Sequence, residues 1–239
     1  MRRIVLNEDL PSLRGLHPEC HAQGLIPYCK ENPRLRVERR VSIWNVVVNG
    51  SVYTSNPPSH IFGRVVALWI VEAHDLAALG MPAGSFSLLL DGDPIPEHST
   101  HLFQTVLHRD VAWQLVIAAW QKLKPQALPI EWNMSFDDLP EIMRDIALGK
   151  SNIRCNFDPG WPVDFRPIFD EHRGSTRLEF KKAHNFREPR RFDTVPPLPD
   201  FRTLHYEVIL GSPCPPMTQR EIEREQEELR VADRVIDDQ

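Results

Sequence analysis

From Val41 onward the apolar positions first alternate: Val41, Ile43, Val46 and Val48 lead to Asn49-Gly50, and Val52-Tyr53-Thr54 follows. β-Branched residues on both sides of Asn-Gly predict a hairpin, because both turn positions take positive φ. Asn56-Pro57-Pro58 ends its second strand. The period then becomes helical. Ile61, Phe62, Val65, Val66, Leu68, Trp69, Ile70, Val71, Leu76 and Leu79 predict a helix over 61–79, with Ser59 as cap and Gly80 and Pro82 past its end. Only Arg64, Glu72, His74 and Asp75 interrupt that run, so the helix is expected to be buried on most sides. Phe86 to Leu90 reads as a short strand closed by Asp91-Gly92-Asp93-Pro94. A second helix is predicted over 100–123 with Ser99 as cap, an extended piece over 129–132, and a third helix over 139–148 with Pro140 in its first turn.

The flanks carry weaker patterns. Residues 1–40 hold prolines at 11, 18, 27 and 33 and show no sustained period, which predicts an irregular arm. Residues 151–217 form a proline-rich extension of the core, with strands expected at Ile153–Phe157, Thr176–Phe180 and Thr203–Leu210. From Thr218 a final helix is predicted to about Ile236, opened by a capping box of Thr218 and Glu221. Ile222, Leu229 and Ile236 form its single apolar line, which suits partner contact better than core burial. The expected class is therefore α+β: a small, mostly antiparallel sheet over residues 41–150, packed against two or three apolar helices, with a charged C-terminal helix over 218–239.

Composition supports a folded core, with apolar residues at 41% and charged residues at 26% of 239. Proline at 22 against glycine at 11 favours stiff extended connections. No apolar run reaches the roughly 18 residues that span a bilayer, and Met1-Arg2-Arg3-Ile4-Val5-Leu6 turns acidic at Glu8-Asp9, unlike a signal peptide. Four cysteines make no disulfide scaffold, so reduced thiols in the cytoplasm are expected. Of the net charge of −5, the last 22 residues hold −4, from four Arg and eight Asp or Glu, and the rest of the chain is nearly neutral. A neutral body argues against a dedicated nucleic-acid binder, whose affinity needs many phosphate contacts.

Three groups resemble reactive sites. His17, Cys20, His21 and Cys29 are metal-ligating types, but without the paired Cys-x2-Cys or His-x3-His spacing of zinc sites. Glu97, His98, His101 and His108 lack the His-Glu-x-x-His spacing of a metallohydrolase helix. Asp91 and Asp93 around Gly92 fit an Asx-stabilised turn better than a catalytic pair. No nucleophile elbow, phosphate loop or dinucleotide fingerprint occurs. The expectation is a non-enzymatic protein with no cofactor and no metal, against the alternative of an enzyme built on the Cys/His arm.

Two basic clusters remain. Arg34, Arg36, Arg39 and Arg40 precede the predicted hairpin. Lys181, Lys182, Arg187, Arg190 and Arg191 fall within eleven residues, interleaved with Phe180, Phe186 and Phe192. Basic side chains among aromatics suit an anionic membrane surface or single-stranded nucleic acid, and equally a solvated loop whose rings dock on the core.

Asn49-Gly50-Ser51-Val52, Ser55-Asn56-Pro57 before an apolar helix, and Leu88-Leu89-Leu90-Asp91-Gly92-Asp93-Pro94-Ile95-Pro96-Glu97 resemble the central part of rhabdovirus matrix proteins, the lyssavirus type most of all. Glu131-Trp132 to Asp137-Asp138 echoes a later acidic turn, so the likeness covers roughly residues 41–138. The resemblance implies a viral matrix-type assembly protein. Such a protein condenses a nucleocapsid, self-associates beneath the host membrane and promotes budding, with the basic clusters on anionic lipid. The family's P-P-x-Y motif is missing, since Pro57-Pro58, Pro196-Pro197 and Pro215-Pro216 are each followed by other residues, the arm is not strongly basic, and the region after Ser151 is longer. The competing reading is an accessory nucleic-acid-binding or scaffolding subunit of a nucleoprotein complex, whose acidic final helix meets a protein partner.

Overall fold

The computed structural model describes residues 2–8, 21–44, 59–127, 136–183, 201–220, 222, 223 and 226. Four strands, β1 (Arg2–Glu8), β2 (Leu35–Ser42), β3 (Phe86–Asp91) and β4 (Ile153–Cys155), form one sheet in the order β1-β2-β3-β4. All three pairings are parallel: Ile4 lies beside Val37, Arg39 beside Leu88, and Leu88 beside Ile153. The expected mostly antiparallel sheet is therefore corrected to a fully parallel one, although helices and sheet are both present as expected. Parallel neighbours need a long crossover, and helices supply it here. A 3-10 turn (His21–Leu25) and α1 (Ile26–Glu31) join β1 to β2, and α2 (Ser59–Asp75) joins β2 to β3. Between β3 and β4 run α3 (Pro96–Phe103), a π-helical turn (Gln104–His108), α4 (Arg109–Leu123) and α5 (Leu139–Ala147).

Each step moves to the next strand in the same direction, and right-handed crossovers then place their helices on one face of the sheet. The contacts agree. Arg39 of β2 donates to Glu72 of α2, and Glu72 also accepts from the Ala22 amide of the 3-10 turn at 3.0 Å. On that face Val37, Val41, Phe86, Leu88, Leu90 and Ile153 are buried against Phe62, Trp69 and Ile70 of α2, and Val106, Leu107 and Val111 join the same core. In α5, Leu139, Ile142, Met143 and Ile146 keep the i, i+3, i+4 spacing of a buried stripe and reach that core. A second cluster gathers Val116, Ile117 and Trp120 of α4 around Phe180, with Ile168 and Phe169 of α6 (Arg166–His172) alongside.

Several expectations change. Within the arm expected to be irregular, Arg2–Glu8 and Leu35–Ser42 are sheet strands. Of the expected hairpin, Val41 and Ser42 end β2, Ile43 and Trp44 are already helical, and 45–58 lie outside the described residues. The extended piece at 129–132 also lies outside them. The second helix starts earlier than expected, with Pro96 in its first turn and Ser99 inside it. Thr176–Phe180 is no strand but the start of α7 (Arg177–Ala183). Thr176 and Glu179 form a capping box there: the Thr176 amide donates to Glu179 at 2.7 Å and the Glu179 amide to Thr176 Oγ1 at 3.3 Å. Residues 203–209 are helical too, as α8 (Phe201–Thr203) and a π-helical turn (Leu204–Ile209), because Leu204 and Val208, four apart, both turn to the core. Of the final helix only its start at Gln219–Arg220 and residues 222, 223 and 226 are described, all helical.

Arg39 is 5% exposed, so its charge is tolerable only because Glu72 meets it. Arg39→Met, which strands the Glu72 carboxylate, should cost about 3–5 kcal/mol in urea denaturation. Adding Glu72→Gln, which keeps an acceptor for the Ala22 amide, should restore most of that loss.

Candidate functional site

Among the described residues, polar and charged side chains gather notably at the carboxyl ends of the strands and on the sheet face turned away from α2. At the carboxyl ends, the turn after β3 is tied down from three sides. Asp91 Oδ1 accepts from the Asp93 amide at 3.0 Å, which is the expected Asx turn, and from Asn156 Nδ2 at 2.7 Å. Asn156 Oδ1 accepts from the Gly92 amide at 2.7 Å. Gly92 O receives the Ser99 hydroxyl at 2.8 Å, and Trp44 Nε1–H lies 2.9 Å from the same oxygen. A Cβ on Gly92 would fall 2.6 Å from Ser99 Oγ and 2.7 Å from Phe157, so only glycine fits. These bonds commit Asp91 to holding β3, β4 and α3 together rather than to acid–base work. Asp93 is exposed, and it meets Asp91 through its main-chain amide.

His108 sits beside this turn, its Nε2 2.8 Å from Pro159 O. That carbonyl can only accept, so Nε2 carries the proton, and burial lowers the ring's pKa from its ordinary value. The imidazole is held neutral against Phe103 and Gly160. Burial, with Asp158 nearby, pushes the Cys155 thiol up to about 12, so it stays protonated and unreactive at neutral pH. Among the described residues no three His, Cys, Asp or Glu gather as a metal site. Cys29 is packed in the core, with burial raising its pKa, while His17 and Cys20 of the same expected group lie outside the described residues.

The second place is electrostatic. Side chains alternate along a strand, so with Val37, Arg39 and Val41 turned to the helices, Arg36, Glu38 and Arg40 turn the other way. Ion pairs trace this face across the sheet: Arg3 to Glu38 at 2.8 Å, Arg40 to Glu38 at 3.5 Å, and Arg40 to Asp91 at 3.8 Å. Arg3 stands beside Arg36 in the register, and Leu89 beside both Arg40 and Arg154, so Arg40 and Arg154 flank Leu89 in one row. Arg3 and Arg154 are exposed, and Arg36 and Arg40 are half-buried. Four arginines thus stand on one face with two carboxylates, Glu38 and Asp91; Arg3 and Arg40 pair with them, while the Arg36 guanidinium donates to Pro33 O at 2.9 Å and Leu35 O at 2.8 Å.

The expected basic contact set divides accordingly. Arg36 and Arg40 lie on this face, and Arg34 is exposed just before β2. Arg39 is corrected to a core residue, since it points to the helices and its charge is matched by Glu72. Lys181 and Lys182 fall in α7, while Arg187, Arg190 and Arg191 lie outside the described residues. Phe180, expected among the basic residues, is fully buried against Trp120. Arg3 and Arg154 belong to the face and escaped sequence reading; alternation through 35–41, once seen as a strand, would have separated Arg36 and Arg40 from Arg39. Comparison of the chain with protein-family models, with curated proteins and with solved structures finds no match.

One buried carboxyl stands apart. Asp110 in the first turn of α4 is held at about 6 by burial, despite the adjacent Arg109 guanidinium 3.0 Å away. The folded chain therefore holds this proton more tightly than the unfolded one, which adds stability below about pH 4 that is lost as pH rises through about 6. Asp110→Asn should remove that dependence. Its stability relative to the parent should rise by about 3 kcal/mol between pH 4 and pH 7 in urea titrations.

Proposed function

We propose that this chain is a non-enzymatic assembly protein that docks on a phosphate-bearing surface through the sheet face carrying Arg3, Arg36, Arg40 and Arg154. The observation behind this reading is the asymmetry of the sheet. Parallel sheets ordinarily bury apolar residues on both faces, whereas here the second face carries four arginines by strand register, two of them, Arg3 and Arg40, paired with Glu38 and Asp91. Guanidinium groups suit phosphate because their planar fork donates two bonds to one oxyanion. Glu38 and Asp91 hold Arg3 and Arg40 in place and limit the local charge excess, which favours salt-sensitive, reversible docking over tight binding.

A membrane is the favoured surface. No helix of the described residues is long and apolar enough to cross a bilayer, so contact would be peripheral. In keeping with the likeness to rhabdovirus matrix proteins, the proposed contact is at the cytoplasmic side of a host membrane, with a nucleocapsid as second partner and a place in the virion. The mostly antiparallel sheet expected of residues 41–150 is not the sheet this chain forms, so the arginine face rather than the family carries the proposal. Direct binding to nucleic acid by an accessory subunit is the competing outcome.

Co-sedimentation with phosphatidylserine-containing vesicles, with neutral phosphatidylcholine vesicles and with single-stranded RNA separates these readings across a salt series. Binding to the anionic vesicles at low salt is expected, with a loss of at least tenfold in the double variant Arg36→Glu, Arg154→Glu. Preference for RNA over vesicles would transfer the function to the nucleoprotein reading, and binding untouched by charge reversal would remove this face from either.

A further inference from the structure

β1 forms one edge of the sheet among the described residues, and it is long, regular and apolar at its centre. Ile4, Val5 and Leu6 are 45%, 42% and 39% exposed. Beside this edge lies a groove of about 1050 Å³ where Ile4, Leu6 and Leu25 meet the charged Arg2, Glu31 and Arg34. An exposed strand with these properties is a template for another strand. The main-chain geometry shows what it offers. The Arg2 amide donates to Arg34 O across the β1–β2 ladder at 3.2 Å. In a parallel ladder alternate residues turn both main-chain groups to the same side, so Arg2, Ile4 and Leu6 use theirs on β2. Arg3, Val5 and Asn7 present their amide and carbonyl outward.

We infer that the occupant of this edge is β1 of a second copy of the chain, paired antiparallel about a two-fold axis through Val5. In that register each outward residue meets an outward residue: Val5 faces Val5, and Arg3 faces Asn7 of the second copy, so the ladder closes with every exposed main-chain group matched. Ile4 meets Leu6, an apolar pair beside the groove. At the ends Arg2 is set against Glu8. The charges that usually guard an edge are of opposite sign here, at opposite ends of the strand. They repel a parallel, in-register copy and attract an antiparallel one. The two-fold also closes the assembly at two copies rather than propagating a filament. An axis normal to the sheet puts both helix layers on one side, so a continuous eight-stranded sheet results. This pairing is independent of what the arginine face binds.

The test is sedimentation equilibrium of the full chain and three kinds of variant. The parent chain should be a dimer at micromolar concentration. Val5→Pro deletes an outward amide but no bond to β2, so it should be a monomer with an unchanged circular dichroism spectrum. Arg2→Glu and Glu8→Arg should each weaken the dimer by roughly tenfold, and the two together should restore it, because only this register opposes those positions. A monomeric parent, or a dimer that Val5→Pro leaves as tight as before, overturns the inference. Should Val5→Pro disturb folding, the charge exchange decides alone: failure of the double variant to recover the loss contradicts the antiparallel register.

Discussion

The ion pair between Arg39 and Glu72 is the constraint on which the rest of the molecule turns. A guanidinium group placed between Val37 and Val41 on the helix-facing side of β2 has one acceptable position, opposite a carboxylate held by α2 and already bonded to the Ala22 amide. A slip of one residue in β2 would send Val37, Arg39 and Val41 outward and bring both Glu38 and Arg40 into the apolar layer, where Glu72 can offset at most the charge of Arg40. The pair therefore fixes the register of β2, the seating of α2 and the approach of the 3-10 turn at once. It also decides which side of the sheet is which.

That division gives the molecule two unlike surfaces. Toward α2 the strands supply a continuous apolar layer, Phe86, Leu88 and Leu90 beside Val37 and Val41. Away from it they carry arginines braced by Glu38 and Asp91. Asp91 links this face to the carboxyl ends of the strands, where Asn156, Gly92, Ser99 and Trp44 lock the turn. In many open parallel sheets that end is a ligand crevice. Here its polar groups are largely used on one another, and the neighbouring His108 and Cys155 are kept uncharged by burial. Among the described residues, the arginine face is the surface we propose for an outside partner. A two-fold at β1 would double that face without altering it.

Much of the helical layer was legible in the sequence because it rests on local, strongly periodic signals. The run in α5 and the turn at Asp91-Gly92-Asp93 fall where their residues predict, β3 needs only one more residue, and α2 is found but runs from Ser59 to Asp75, four residues short of the expected end. Strand direction was not legible. Asn49-Gly50 is a local hairpin signal, whereas the parallel order depends on β1 and β2 meeting across a crossover whose prolines at 27 and 33 read as disorder of pattern. The segments 176–180 and 203–210 misled for a related reason. Their apolar residues are too few to show a period, and the local signal that does set the helix at 176–180 is the capping box of Thr176 and Glu179. Of the arginine face, Arg36 and Arg40 were found by clustering alone. Arg3 and Arg154, 151 residues apart in the chain, enter it only through the sheet register.

The central claim, that the chain meets its partner with one face of its sheet, is tested most directly by arginine footprinting. Phenylglyoxal modification would be followed residue by residue with and without phosphatidylserine vesicles. Slowed modification of Arg36 and Arg154 on vesicle addition, with Arg39 unreactive in both conditions, is the predicted result. Equal rates at Arg36 and Arg154 with vesicle-bound protein would place the contact elsewhere and contradict the account.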